Sequence, residues 1–213
     1  MKKIGLFILY TSFGFFASAQ SVESTTEYNK TQQPAVICEF PYPPALVETV
    51  LTDDLKQKGF GKGKSSKSFQ VFQAINFTEI SADKIDFYVR VEKKSRKEKD
   101  ISTITVLVSK GYDNFISGAA DASIMQNTMA YINGLKTKLE KSSLEIQIAD
   151  QEDVLRKEEK KMSNLVDDLA SLEKKKKNLE EDIEDNKKDQ EKQKSEVEKQ
   201  KQILESIKAQ RKN

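Results

Sequence analysis

Apolar and polar residues alternate in the middle of this chain, which is the pattern of a β-strand with one buried face. Residues 85–91 are the clearest case, because every second position from Ile85 to Val91 is apolar. Residues 101–109 alternate in the same way, and they predict a neighbouring strand. Two further strands are predicted from apolar runs, at 35–40 and 69–75.

Between the predicted strands at 35–40 and 69–75, apolar residues recur at the spacing of a helix. Pro44 suits a first helical turn and Gly59 commonly follows a last one, so a helix is predicted over 44–58. Its apolar stripe consists of Leu46, Val47, Val50, Leu51 and Leu55. The order of elements becomes β-α-β-β-β. This order predicts an α+β fold class, with a small two-layer head at 34–118 in which one helix covers an antiparallel-rich sheet.

From about residue 119 the pattern changes to that of a long, charged helix. No proline follows Pro44, no glycine follows Gly134 and no aromatic residue follows Tyr131. Lys, Glu, Gln and Leu dominate, a composition typical of coiled coils. From Leu165 to Ile207 the seam positions step by four and three in a constant phase, which predicts a heptad seam. Near Leu144 to Ile148 the apolar stripe slips in phase, which indicates local unwinding or a bend. The apolar residues of this predicted seam are Leu165, Leu169, Leu172, Leu179, Ile183, Val197, Leu204 and Ile207.

Polar residues interrupt the seam at Lys176 and at Asn186, Gln190 and Gln193. Such residues lower stability, but they fix the register and the number of helices. They leave three alternatives for 119–213: one long helix, a helical hairpin with a turn near 185–186, or a solvated and partly disordered end. A helix with an apolar seam needs a second helix, from itself, another copy or another protein.

The N-terminus has the three parts of a secretory signal peptide. Two lysines precede a short apolar run, which ends in the small residues Ala17-Ser18-Ala19. Cleavage after Ala19 is therefore expected, which would place the mature protein in the periplasm or outside the cell. Residues 20–33 are rich in Ser, Thr and Gln and predict a flexible leader. No later apolar run is long enough to cross a membrane, since about 20 residues are needed.

Composition restricts the chemistry that this chain can perform. Cleavage would remove two of the 36 basic residues and none of the 34 acidic ones, so the mature chain is neutral and no nucleic-acid partner is expected. The absence of histidine removes His-activated nucleophiles and His-ligated metal sites. The single cysteine, Cys38, lies in a predicted strand, where burial is expected rather than a redox role. We expect neither a metal nor a cofactor.

Two basic clusters stand out among the loops of the head. The glycine-rich stretch 58–65 lacks the first glycine of a phosphate loop and follows a helix rather than a strand, so nucleotide binding is not predicted. If the two clusters share one side of the head, they form a positive patch for an anionic surface; otherwise they are ordinary solvated loops. The candidate residues are Lys62, Lys64, Lys67, Lys94, Arg96 and Lys97.

Three hypotheses for function follow, and no motif assigns a family. The first is an exported, non-catalytic structural or interaction protein of the cell envelope, whose coiled coil self-associates or docks a partner while the head makes a second contact. The second is a periplasmic holdase chaperone, which the outline of a β-containing base with charged helical arms resembles; adaptable contacts would come from Met125, Met129 and Met162.

The third hypothesis is an enzyme that uses paired carboxylates in the head. It requires a pocket that brings two of the acidic residues together. Their spacing along the chain does not favour catalysis over solvation, so the sequence predicts no catalytic residue. The available carboxylates are Glu39, Glu48, Asp53, Asp54, Asp83 and Asp86.

Overall fold

A computed structural model describes residues 20–210 of the chain, and the predicted signal peptide lies outside these described residues. The described chain divides into two compact units, residues 20–148 and residues 149–210. The first unit contains an antiparallel sheet with helices, and one long helix runs to the end of the second. The predicted α+β fold class is confirmed.

Six strands form one antiparallel sheet in the first unit. Neighbouring strands follow the order β1-β2-β6-β5-β4-β3. The four predicted strands are confirmed as β2, β4, β5 and β6, whereas β1 and β3 at the two edges were not predicted. The strands are β1 (Val22–Tyr28), β2 (Thr31–Phe40), β3 (Lys64–Ser66), β4 (Phe69–Ile75), β5 (Ile85–Lys93) and β6 (Ser102–Ser109).

The prediction of a flexible leader over 20–33 is wrong, because this stretch forms β1 and the beginning of β2. The two strands pair along the whole of β1, and they are joined by the two-residue turn Asn29–Lys30, in which both residues have positive φ. Such a turn matches the twist of a hairpin. β1 is an edge strand with mostly exposed side chains, so it needs backbone pairing but no apolar alternation.

Two helices complete the secondary structure. The first, α1 (Pro44–Gln57), begins with proline in its first turn and ends before Gly59, whose φ of +84° suits glycine. The second, α2 (Ala122–Gln210), is a single helix of 89 residues, so the turn near 185–186 that a hairpin requires is not formed. Asp121 caps its start, since its Oδ1 accepts a hydrogen bond from the Ile124 N–H at 3.2 Å.

The main core lies between one face of the sheet and the two helices. The central strands contribute their alternate residues to it, among them Phe87 and Ile104, and α1 contributes Val47, Leu51 and Leu55. Each of these side chains is almost completely buried. The period-two and helical patterns therefore point to the same interior, as expected for two layers.

The first turns of α2 belong to this core, so the predicted boundary between head and tail at residue 118 is wrong. Ile132, Leu135 and Leu139 lie in the same buried cluster as the sheet residues, and the first unit extends to Ile148. The spacing of these residues is helical whether the first turns of α2 belong to the head or to the tail. The sequence does not indicate where the apolar stripe of α2 stops facing the sheet.

A smaller cluster on the opposite face shows that the sheet is curled. Tyr28 and Phe69 belong to β1 and β4, which have three strands between them, yet their ring centroids are 5.8 Å apart. In a flat sheet these strands would be about 19 Å apart, at about 4.8 Å per strand. Tyr88 and Phe115 complete the cluster in edge-to-face contacts. The turn of the β1–β2 hairpin therefore folds over the sheet.

Residues 149–210 of α2 form the second unit, and every one of them is exposed. This unit has no apolar neighbour within the described chain against which to bury a face. Among residues 20–210, no helix combines the length and the apolar character that a membrane crossing requires.

Candidate interaction site on α2

The predicted seam is an exposed apolar stripe on the second unit. Its side chains range from 44% exposed at Val197 to 64% exposed at Leu165. A single helix cannot cover such a stripe with its own side chains, because they all project away from its axis. The seam is therefore the part of the described chain that most needs a partner, although its role as a contact stays a prediction.

The seam follows the heptad letters a and d without a break. Taking Leu169 as position a places β-branched Ile183 and Val197 at a positions as well, and it places Leu172 and Leu179 at d positions. Branched residues at a with leucine at d, as at Ile183 and Leu179, favour parallel two-stranded coiled coils, whereas Leu204 at a with Ile207 at d is the arrangement of larger assemblies. In the same phase, the seam continues towards the N-terminus through exposed apolar residues, Met162 and Leu155.

The seam residues with amide side chains are grouped in the C-terminal half. Asn186 and Gln190 hydrogen bond to each other within the helix, since the Gln190 amide donates to Asn186 Oδ1 at 2.6 Å. Gln193 and Gln200 follow at the next d positions. An amide at a seam position is satisfied best by a second amide on the facing helix, and it thereby restricts the register of the pair.

The remaining surface of the second unit carries short-range ion pairs. Lys188 lies 3.1 Å from Asp185 and Lys192 lies 3.2 Å from Asp189, each one turn apart on the helix. Exposed pairs of this kind contribute only about 0.3–0.5 kcal/mol. They solvate the surface and support the helix, but they do not replace a helix partner.

Of the predicted basic residues, Lys62 precedes β3 and Lys64 is its first residue, whereas Lys67 lies in the β3–β4 turn and the other three lie in the β5–β6 turn. β4 and β5 are antiparallel, so the β3–β4 turn with Lys67 and the β5–β6 turn with Arg96 are at the same end of the sheet. Lys67 binds the Asn29 side chain, and Lys94 forms a 2.9 Å ion pair with Glu39. The other four candidates are exposed and form no ion pair within residues 20–210: Lys62, Lys64, Arg96 and Lys97.

The Asp54 carboxylate joins the two helices, and the sequence did not predict its burial or its partners. The Asp54 side chain is only 3% exposed; its Oδ2 accepts a 2.8 Å hydrogen bond from the Tyr131 hydroxyl, and its Oδ1 pairs with Lys138. Burial, and then the bond to Asp54, raise the pKa of Tyr131 well above its usual range. This contact ties α1 to α2. Only the packing of the two helices brings these residues together.

Two surface pockets in the described part of the head each contain one carboxylate. A pocket of about 390 Å³ between α1 and the sheet contains Glu48, and one of about 270 Å³ beside α2 contains Glu79. Among the described residues, no group of three potential metal ligands occurs.

Cys38 is buried in β2, as predicted. Burial, with a smaller effect of Glu39, raises the pKa of its thiol to about 11. A thiol of this kind stays protonated at neutral pH, and it behaves as a small apolar side chain.

Two of the three methionines proposed for chaperone contacts lie in the head instead. Met125 is buried in the main core, and Met129 packs against it. They are held by their neighbours, so the adaptable surface of that hypothesis is reduced to Met162, which is exposed on the second unit.

A comparison with protein-family models, with curated proteins and with solved structures finds no match to this chain. The functional argument therefore depends on the residues and contacts described above.

Proposed function

We propose that this chain is an exported, non-catalytic interaction protein. Residues 149–210 of α2 associate with a second helix through the seam, and the head supplies a second contact through its basic turns. The observation that supports this most directly is a set of apolar side chains at heptad spacing that is left exposed on the second unit.

The free energy from apolar burial is of the same order as the cost of association. Complete burial of one such side chain is worth about 1.5–3 kcal/mol, and roughly half of each is already covered by its own helix. Two helices with eight seam residues each would therefore gain on the order of 15 kcal/mol, as an upper estimate. Association itself costs about 4–15 kcal/mol. A complete seam is thus needed, and loss of a few residues should weaken the complex strongly.

The test compares two triple variants of the mature chain. In the first, three seam residues are replaced: Leu172→Gln, Leu179→Gln and Ile183→Gln. In the control, three residues on the opposite side of the same turns are replaced: Lys174→Gln, Glu181→Gln and Lys188→Gln. Glutamine is a good helix former, so both variants keep the helix propensity of the segment.

We expect light scattering to show that the seam variant loses the complex and the control variant keeps it. The far-ultraviolet circular dichroism at 222 nm should fall with the seam variant, because an isolated helix of this composition is less stable without packing. An association that survives the seam variant unchanged would refute the proposal.

The holdase hypothesis remains a second candidate because of apolar residues that lie outside the seam. Val166 and Ile203 are half-exposed and flank it on opposite sides. A holdase would suppress the aggregation of an unfolded client at a near-stoichiometric ratio. If the wild-type chain gives no suppression, this candidate is removed, while the interaction proposal is unaffected.

A further inference from the structure

The two flanks of the seam carry opposite charges. The residue that precedes each a position, position g, is acidic in three successive heptads: Asp182, Asp189 and Glu196. The residue that follows each d position, position e, is basic in the matching heptads: Lys187, Lys194 and Lys201. One heptad earlier the signs are reversed, with Lys175 at g and Glu180 at e. Charges at e and g determine which helices pair and in which direction.

In a parallel pair without stagger, each g side chain faces the e side chain of the following heptad on the other helix. Four successive g positions then meet an opposite charge: Lys175 with Glu180, Asp182 with Lys187, Asp189 with Lys194, and Glu196 with Lys201. Two-fold symmetry repeats each pair on the other side. The reversal of sign at Lys175 is matched by the reversal at Glu180, so the pattern fits this register in detail. Asp168 facing Glu173 is an unfavourable pair.

We infer that the partner of α2 is a second copy of this chain, parallel and in register over residues 165–207. This inference depends on the proposed function, since it names the helix that covers the seam. The charges of the chain itself favour a second copy as the helix that covers the seam, because one helix carries both the acidic and the basic flank.

An antiparallel pair places like flanks together. Position g then faces g and position e faces e. The g flank has one base, Lys175, among five charged positions from 168 to 196, so acidic side chains would face acidic side chains across the centre of the segment. Like charges in these positions are destabilising and act against the wrong orientation.

Half of the complementary charges have no ion-pair partner in the part of the chain that the structure describes. Lys175, Asp182, Lys187 and Lys194 take part in none of the ion pairs formed among residues 20–210. The neighbouring charges are arranged differently, since the outward-facing Lys188 and Lys192 are paired along the helix. In a parallel pair, Asp182 and Lys187 would face each other across the interface. Lys175 and Lys194 would share Glu180 and Asp189 with the intrahelical partners Lys176 and Lys192.

The polar seam residues agree with a register without stagger. Each residue then meets its own copy, so Asn186 faces Asn186 and Gln190 faces Gln190, and amides satisfy amides. A shift of one heptad would place Ile183 opposite Gln190 and Asn186 opposite Gln193. Lys176 also meets its copy, and its ion pair with Glu180 at 3.7 Å in the same chain reduces that repulsion.

Cysteine cross-linking tests direction and register. Two variants of the mature chain, Leu172→Cys and Ile207→Cys, are equilibrated alone and mixed in a glutathione redox buffer. The unsubstituted chain is the control, since its one cysteine is buried. We expect each variant to cross-link to itself, and the mixture to give almost no product that joins position 172 to position 207. A predominant 172–207 product, or no cross-linking above the control, would overturn the inference.

Charge reversal tests whether the flanks select the partner. The basic-flank variant combines Lys187→Glu, Lys194→Glu and Lys201→Glu, and the acidic-flank variant combines Asp182→Lys, Asp189→Lys and Glu196→Lys. Each should dimerise more than about tenfold more weakly alone, because six exposed pairs become repulsive. An equimolar mixture should regain the affinity of the wild type. The control for the basic-flank variant reverses three outer lysines: Lys188→Glu, Lys192→Glu and Lys199→Glu.

The outcomes separate this inference from the proposed function. A self-associating chain in which the basic-flank variant behaves like its control would overturn the inference alone. A chain that stays monomeric but binds a helix of another protein through the seam would also overturn the inference and leave the proposed function standing. An association that does not need the seam would refute both.

Discussion

Leu139 tests whether the first turns of α2 are part of the head. Its side chain is completely buried in the main core, whereas Leu144, five residues further along the same helix, is 55% exposed. Replacement of each by alanine removes the same atoms from the same helix. Alanine also has the highest helix propensity, so neither variant weakens the helix directly.

The expected destabilisation follows from the burial. Leu139→Ala loses the transfer free energy of the side chain and leaves a cavity against the sheet, which together cost about 2–5 kcal/mol. Leu144→Ala has no cavity to form, and it should change the free energy of unfolding by less than about 0.5 kcal/mol. For a unit of this size, the first loss corresponds to a fall in melting temperature of roughly 6–20 °C.

The chain offers a signal that reports on the first unit alone. It has no tryptophan and no aromatic residue after Tyr131, so in the mature chain, which lacks Tyr10, tyrosine fluorescence and near-ultraviolet circular dichroism monitor residues 20–148. Thermal or urea unfolding followed by these signals gives the stability of the head. Circular dichroism at 222 nm adds the long helix.

Equal stability of the two variants would refute this reasoning. It would mean that the α2 turns around Leu139 do not hold the sheet, and that the head ends earlier in the chain. A loss in Leu139→Ala seen at 222 nm but absent from the tyrosine signal would have the same meaning.

Three further predictions concern the head. Tyr131→Phe should lower the free energy of unfolding by about 2 kcal/mol, since it removes a hydrogen bond to the buried Asp54 carboxylate, whereas Tyr112→Phe, at a fully exposed ring, should have no effect in the same urea titration. The Ile124 N–H, and then Lys110, lower the pKa of Asp121. This carboxylate should therefore stabilise the head above its unfolded pKa of about 3.9 and lose that effect as the pH falls through the lower folded value. The difference in stability between wild type and Asp121→Ala should shrink to zero on acidification, and a constant difference would contradict the assignment. Replacement of four exposed basic residues of the head by glutamine should weaken sedimentation of the protein with anionic vesicles at low salt but not with neutral vesicles. The control replaces four outward-facing lysines of α2 by glutamine: Lys174, Lys188, Lys192 and Lys199. The four head residues are Lys62, Lys64, Arg96 and Lys97.

Much of the head was predictable because one face of most elements is buried. The alternation at Ile85–Val91 and the stripe through Leu51 and Leu55 are imposed by the core, and the structure contains β5 and α1 at those places. The edge strands β1 and β3 have no such pattern. They are held by backbone hydrogen bonds, which any polar sequence can make, so composition indicated a leader where β1 is found.

Other features arose only when distant elements packed together. In the sequence, Asp54 looks like one of several acidic residues on the exposed face of a helix. It becomes a buried partner of Tyr131 only because α2 lies against α1. The contact of Tyr28 with Phe69 likewise depends on the curl of the sheet. These contacts join residues far apart in the chain, and local spacing does not encode them.

The heptad seam is the feature that the sequence alone determines most completely. Its period and its charged flanks are local and repeat along one helix, so they can be read without coordinates. Tertiary structure decided which part of α2 is available for pairing. Packing against the sheet consumes the apolar stripe as far as Leu139, and it leaves the stripe of the second unit exposed. The physical reason is that a spacing of three and four shows that a face is apolar, whereas only three-dimensional packing shows what covers it.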